Sequence, residues 1–485
     1  MTSIDHRTSG RSYVGEHMRT AYIGADDIEY AARVFETDVT DGGGALGARY
    51  VCTQYVRTDI PPDERSRRPV IFSFNGGPGS ASVWTHLGIG PRRIAQADSL
   101  TPVMTPPFGL LDNVDSPLDV ADLVFVDPPG TGYSRLLDPS KAEAFHGTDQ
   151  DARATIEFIE TWARRNRRQN SPRFLLGESF GTVRAARIAR NASGGPFLGG
   201  ATRAAAITGV IILGPALGHW LPEWSGDVRD ALEVPTYAAT ARYHSGMSVP
   251  PEEVARFART ELLPALAAGA ELPHDERRAI AVRLAEILAL DVQVVLDHDL
   301  RIPPTQYARL VREHAGEHVG LYDSRYTLPA EGAGHDAVTD DPGMGQYAPA
   351  FLGTIERYLH EELGYVTDED YRGIAFADVY ANWDYGDGAD APKTGALEEL
   401  AAVLRRDRRF EVLIGVGDYD LVTTSASTEF AVARCQVDRS RVHLHRYASG
   451  HMPYLGAEPR QSLARDLREF VTRLSRHDGS RTEAV

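Results

Sequence analysis

The five residues Gly177-Glu178-Ser179-Phe180-Gly181 place a serine at the centre of a glycine-flanked turn. An apolar run, Arg173-Phe174-Leu175-Leu176, precedes them and reads as a short buried strand. Residues 182–189 follow with the spacing of a helix. A strand, a Gly-x-Ser-x-Gly turn and a helix together make a nucleophile elbow. The turn is sharp, so a side chain at either glycine would collide with backbone. It lifts the Ser179 hydroxyl out of the sheet and aims a helix N-terminus at it, where the dipole favours developing negative charge. The bland alternative is a glycine-rich loop whose serine caps a helix. The strand before the turn and the helix after it favour the elbow.

A serine alcohol is a weak nucleophile at neutral pH. It needs an imidazole to take its proton and a carboxylate to fix that imidazole. Both follow buried strands further along. After 412–416 comes Gly417-Asp418-Tyr419-Asp420-Leu421-Val422, and after 442–447 comes Ala448-Ser449-Gly450-His451-Met452-Pro453-Tyr454. The order Ser179, Asp420, His451 is the order of a hydrolase sheet, with each residue on a loop at a strand end. Asp420 is preferred over Asp418: it lies deeper in its loop before an apolar pair, whereas Asp418 directly follows Gly417 and can hold the turn. His86, His146 and His219 have no comparable context. No His-Glu-x-x-His or paired-cysteine spacing occurs, so neither a metal nor a cofactor is expected.

Acyl transfer also needs donors for the oxyanion. Asn75-Gly76-Gly77-Pro78-Gly79-Ser80 follows the first strong strand and lets backbone approach a substrate closely. The expected donors are the N–H groups of Gly77 and Phe180. A phosphate-binding loop is disfavoured by Pro78, which lacks an N–H, and by the absence of a Gly-Lys-Ser/Thr ending.

The elements needed to position these residues are present. Residues 21–60 alternate as a β-meander, with a turn at 41–44, and 61–68 is a charged loop. Segments at 69–74, 123–126, 174–176, 210–213, 412–416 and 442–445 read as strands, and several of them are continuous apolar runs, the mark of strands covered on both faces. Amphipathic segments such as 151–165 lie between some of them. The pattern implies an α/β fold, a doubly wound and mostly parallel sheet. From 218 to 378 the rhythm breaks into helical patterns, for example at 251–258 and 275–290. The expected organisation is a polar arm (1–20), a first part of the sheet core (21–217), an inserted helical cap (218–378), a second part of the core (379–476) and a polar tail (477–485).

Composition narrows the partners. With 68 acidic against 51 basic residues the formal charge is −17, which disfavours nucleic acid and anionic membranes. Apolar residues make up 42%, enough for a sizeable core. The two cysteines, Cys52 and Cys435, imply no disulfide framework. The N-terminus lacks an apolar leader and no run approaches a membrane span, so a cytoplasmic location is expected. Lysine is confined to Lys141 and Lys393, a bias of GC-rich bacterial genomes. Oligomeric state is open.

Five motifs together resemble the serine carboxypeptidase family. They are Asn75-Gly76-Gly77-Pro78-Gly79-Ser80, Val126-Asp127-Pro128-Pro129-Gly130-Thr131-Gly132-Tyr133-Ser134, Gly177-Glu178-Ser179-Phe180-Gly181, Gly417-Asp418-Tyr419-Asp420 and Gly450-His451-Met452-Pro453. The spacing, and the segment Val234-Pro235-Thr236-Tyr237, look closest to the bacterial branch. The resemblance implies an α/β-hydrolase fold and release of a C-terminal residue through an acyl-enzyme. It makes Ser179 the nucleophile, His451 the general base and Asp420 its orienting partner. Asn75, Gly76 and Glu178 match the substrate-binding positions, where Asn75 and Glu178 would hydrogen-bond a terminal carboxylate. Glu178 must then be protonated.

The chain departs from the family in one respect. Eukaryotic members carry a second glutamate two positions before the Gly-Pro that follows the oxyanion loop; here that Gly-Pro is Gly90-Pro91, and Gly88 holds the position. Without the acid pair, activity is expected to follow deprotonation of His451 and to persist at neutral pH. Arg92, Arg93 and Arg184 lie near the motifs and are alternative partners for a substrate carboxylate. The expected partner is a peptide or a small acyl substrate. Rival readings are an esterase or acyltransferase on the same scaffold and a non-catalytic binding protein.

Overall fold

The computed structural model describes residues 16–193, 206–216, 226–247, 249–331, 334, 336, 338–386 and 395–476. The polar tail, most of the N-terminal arm, the start of the expected insertion at 218, His219 and Lys393 lie outside them.

Ten strands form the central sheet. In chain order they are β1 (His17–Ile23), β2 (Asp26–Thr40), β3 (Leu46–Arg57), β4 (Val70–Phe74), β5 (Asp122–Val126), β6 (Arg135–Leu136), β7 (Arg173–Glu178), β8 (Gly209–Leu213), β9 (Glu411–Gly417) and β10 (Val442–Tyr447). The order across the sheet is β1-β2-β3-β5-β4-β7-β8-β9-β10, with β6 against β3. From β5 to β10 every neighbour is parallel, whereas β1, β2 and β3 form the antiparallel meander. The chain turns outward from β4 and β7 in both directions, and this reversal puts the ends of the central strands beside one crevice.

The continuous apolar runs divide by the period of a strand. Val70, Phe72 and Phe74 face one core with Leu175, Val210, Ile212 and Ile414, while Ile71 faces the other with Phe174, Leu176, Ile211 and Leu413. The first face is covered by α2 (Thr148–Arg165), α3 (Gly181–Ala192) and α8 (Ala396–Arg406) through residues such as Phe158, Ile188 and Leu400. The second is covered by α1 (Val83–Ile89), α7 (Met344–Arg357) and α9 (Ala457–Ser475) through Leu87, Phe351 and Leu467. Coverage on both sides is why these strands carry no polar alternation.

Between β8 and β9 the described residues are mainly helical. The helices α4 (Gly226–Ser245), α5 (Pro251–Phe257) and α6 (His274–Leu288) build a separate core around Val234, Tyr237, Phe257 and Leu284. A small antiparallel ribbon, Glu317–Val319 with Thr327–Pro329, follows them. Helix α7 behaves differently: its buried face belongs to the sheet core and not to the helical one. Residues 371–385, which span the boundary expected at 378, run back along the oxyanion loop. Ile374 bridges to Ser80, and Ala375 N–H donates to Gly79 C=O at 2.7 Å.

Two local expectations need correction. His17 to Thr20, expected in the polar arm, form the first half of β1, where hydrogen bonds to β2 compensate for a mostly exposed face. The loop 61–68 contains one helical turn, Pro62–Arg65, started by a proline and two acidic residues. Cys52 is buried within β3 and Cys435 is half-buried; both are free thiols.

The N-terminal end of β5 rests on a buried charge cluster. Asp122 takes Arg68 Nε at 2.9 Å and Arg168 Nη1 at 2.5 Å, and all three side chains are at most a tenth exposed. Removing the acid strands both cations. Asp122→Ala is expected to cost about 3–5 kcal/mol, read as a lower urea midpoint at unchanged slope. An unchanged midpoint would mean that water already screens the cluster.

Candidate active site

The elbow lies between β7 and α3. Ser179 has φ 58°, a left-handed value rare for a residue with a side chain. Its N–H donates to Leu213 C=O at 2.9 Å, which ties the turn to β8. A Cβ at Gly177 would lie 2.1 Å from the Gly181 carbonyl oxygen, and one at Gly181 would lie 2.9 Å from that of Phe74. The two glycines are therefore required by close backbone approach, as their spacing suggests.

Asp420 and His451 meet beside the elbow. His451 Nδ1 and Asp420 Oδ2 are 2.7 Å apart, and both side chains are buried. Asp420 is held in turn by the N–H groups of Val422 and Thr423, at 2.8 and 2.9 Å, and by the Thr423 hydroxyl at 2.5 Å. These donors fix the carboxylate so that it in turn fixes the imidazole. Asp418 plays a different part: it binds Arg446 at 2.6 Å on the half-exposed flank of β10. Burial opposes a charge on His451, but the Asp420 charge and hydrogen bond, helped by Glu178 and Asp341, outweigh it and raise the imidazole above its usual range. Its Nε2 makes no hydrogen bond among the described residues. It shares with Ser179 the wall of a cleft of about 440 Å³.

The oxyanion loop is pressed against the elbow. A Cβ at Gly76 would lie 2.4 Å from Phe180 N, 2.8 Å from Glu178 O and 2.9 Å from Ser179 Cβ. Gly77 has φ 103°, and a Cβ there would meet the N atoms of Gly79 and Ser80. Gly77 and Phe180 both line the cleft beside Ser179, as the expected pair of oxyanion donors must. Asn75 is oriented from every side. Its Oδ1 accepts from the N–H and hydroxyl of Thr85, each at 3.1 Å, and its Nδ2 donates to Glu178 Oε1 at 2.5 Å.

Several supporting residues were not singled out by the sequence, or were assigned elsewhere. Arg184 is not a surface arginine and does not face the cleft. It is fully buried on α3, pairs with Asp151 of α2 at 2.5 Å and donates to the Asn75 carbonyl at 2.7 Å. It braces the oxyanion loop from below. Arg92 and Arg93 also stay clear of the cleft, paired with Asp112 and Asp98. Asp127 accepts from the N–H and hydroxyl of Ser82 at 2.7 and 2.6 Å, clamping the loop where it enters α1. The loop bearing His451 is held by the insertion: His451 N–H donates to Tyr322 C=O at 2.6 Å, and Gly450 N–H to Asp323 Oδ2 at 3.0 Å. His86 and His146 stand outside the cleft; His86 stacks on Phe125 in the core.

Glu178 is buried, and loss of water raises its carboxyl to about 7. The cleft around it is mostly apolar, with walls from Trp84, Ile374, Phe376, Tyr380 and Met344. No group of His, Cys, Asp and Glu suited to a metal occurs among the described residues. None of the described helices is long and apolar enough to cross a membrane.

The close approach at Gly76 makes a direct test. Gly76→Ala must push the loop off the elbow and misplace the oxyanion donors. Turnover is expected to fall by about 10²-fold or more with unchanged far-UV circular dichroism. Full activity would show that the loop adjusts freely.

Residues 55–194 match the serine carboxypeptidase family model. No curated protein matches the chain. Among solved structures, Kex1, a prohormone-processing carboxypeptidase from Saccharomyces cerevisiae, is similar at 14% identity with a TM-score of 0.56, over 92% of this chain and 91% of that one. Proline iminopeptidase from Mycobacterium smegmatis (14% identity, TM-score 0.37, 91% and 98% covered) and a thermostable carboxyl esterase from Bacillus coagulans (10%, 0.38, 92% and 99%) are more distant. The structural likeness shows the fold, that of the α/β-hydrolases. The matched segment holds both the oxyanion loop and the elbow; the chain is a serine hydrolase whose residues 55–194 are similar to the serine carboxypeptidase family.

Proposed function

We propose that this hydrolase is a serine-type carboxypeptidase, removing the C-terminal residue of a peptide through an acyl-enzyme on Ser179. The observation that carries the reading is the Asn75–Glu178 pair, buried in the cleft wall directly beside Ser179. A neutral carboxyl and an amide N–H₂ side by side offer the donors that a terminal carboxylate needs. The apolar walls suit an apolar side chain on the released residue or its neighbour.

In this mechanism His451 Nε2 takes the Ser179 proton as the hydroxyl attacks the scissile carbonyl. The N–H groups of Gly77 and Phe180 hold the oxyanion. The proton passes to the leaving amine, and water, activated by the same imidazole, then frees Ser179. Asp420 keeps Nδ1 protonated and stabilises the imidazolium.

Mass spectrometry of a peptide library, each member supplied as free acid and as C-terminal amide, tests the specificity. Loss of one residue from the free acids alone, abolished in Ser179→Ala, is the expected result. Intact peptides despite fluorophosphonate labelling of Ser179 would instead favour an esterase or acyltransferase on a small acyl donor.

The two titrating groups set opposite limits. His451 must be neutral to act, so activity rises as pH passes its raised value. Glu178 must be protonated to receive a carboxylate, so recognition of free acids fades above about 7. The charges on His451 and Glu178 act on each other, so both limits belong to the pair. We expect a bell-shaped kcat/KM profile near neutrality for free acids and only the rising limb for esters. Glu178→Gln, which donates without titrating, should abolish the alkaline limb. A limb that persists in Glu178→Gln would assign it to another group.

A further inference from the structure

The position where the family carries a second acid is not empty here. A Cβ at Gly88 would lie 2.2 Å from Tyr454 Cδ2 and 2.6 Å from both Cε2 and Cγ. The Tyr454 ring therefore fills the space that any side chain at 88 would need. Tyr454 is fully buried. It comes from the loop after β10, three residues beyond His451. Its hydroxyl faces Glu178 and Asn75.

Among the described residues, two buried atoms in this corner make no hydrogen bond: the Tyr454 hydroxyl and Glu178 Oε2. One is a donor and the other an acceptor. Left apart in a dry site, each carries the full cost of lost hydration; joined, each meets the other's need. Oε1 already belongs to Asn75.

We propose that Tyr454 is the partner of Glu178 in this chain, its phenol donating to Oε2 from the notch that Gly88 vacates and taking the place of a second carboxyl in the carboxylate-recognition pocket. Tyr454 does not line the cleft, so it is a positioning residue that acts through Glu178. The functional consequence rests on the carboxypeptidase reading above. A second carboxyl would share a proton with Glu178. A phenol keeps its own proton throughout the working range and offers it only as a hydrogen bond, which favours the ionised form of Glu178. The release of the Glu178 proton is thus opposed by burial and assisted by Tyr454. The other groups facing Glu178 are His451, which also favours its charge, and Asp420, which opposes it; Asn75 donates to it, and Tyr322 of the insertion adds a further buried phenol nearby.

The test is Tyr454→Phe, which keeps the ring in its notch and removes only the hydroxyl. Carboxyl-¹³C-labelled glutamate, with Glu178→Gln identifying the resonance, reports the titration of Glu178 directly by NMR. The titration is expected to move to higher pH in Tyr454→Phe, by on the order of one unit. In parallel, the alkaline limb of kcat/KM for free-acid peptides should move the same way, while ester hydrolysis still shows no alkaline limb. Coincident titration curves, or a move to lower pH, would overturn the proposal. If the native protein shows no preference for free acids, the carboxypeptidase reading fails. The NMR curves then still decide for or against Tyr454, since they need no turnover.

Discussion

The site depends on one close contact: the oxyanion loop lying against the backbone of the elbow. Gly76 approaches Phe180 N so closely that even a methyl group does not fit. Ser179, in turn, is held in a left-handed conformation that a free chain would avoid. Neither arrangement is locally favourable, so both must be imposed from outside. The sheet does so through the hydrogen bond from Ser179 to β8, and the buried Arg184–Asp151 pair does so from below by gripping the Asn75 carbonyl. A buried ion pair contributes little net stability. Here it fixes where a carbonyl can sit.

Electrostatics then separates two neighbouring carboxyls by environment alone. Asp420 collects two backbone N–H donors, a hydroxyl and the imidazole around its carboxylate. At Glu178 burial outweighs the Asn75 amide and the other groups that favour its charge, and so favours the neutral acid. One carboxylate to hold an imidazole and one neutral carboxyl facing the cleft is a division of labour that hydrolytic sites repeatedly use. It requires a dry cleft, and the aromatic and aliphatic walls supply one.

Much of this was legible in the sequence. The strands showed because coverage on both faces removes polar alternation, and the elbow showed because its glycines are sterically compelled. Of the two aspartates that the sequence offers in one loop, Asp420 turns to His451 and Asp418 to Arg446. The helical turn at Pro62–Arg65 carries its own signals, a proline and an acidic first turn, within a segment whose charge alone reads as a loop. The role of Arg184 could not be read, because its partners come from α2 and the loop after β4. Gly88 read as something missing. Only the folded chain brings in Tyr454, from the far end of the sequence, to fill the gap.

The hold of the insertion on the His451 loop carries a consequence of its own. Tyr322 and Asp323 grip His451 and Gly450, while Leu421, one residue past Asp420, packs in the helical core and donates its N–H to Leu321. The nucleophile and the oxyanion loop are built on the sheet; the base and its aspartate are secured by the ribbon turn of the insertion and by its helical core. Sheet and insertion therefore each hold part of one catalytic site, and neither by itself carries the serine, the base and the oxyanion loop together.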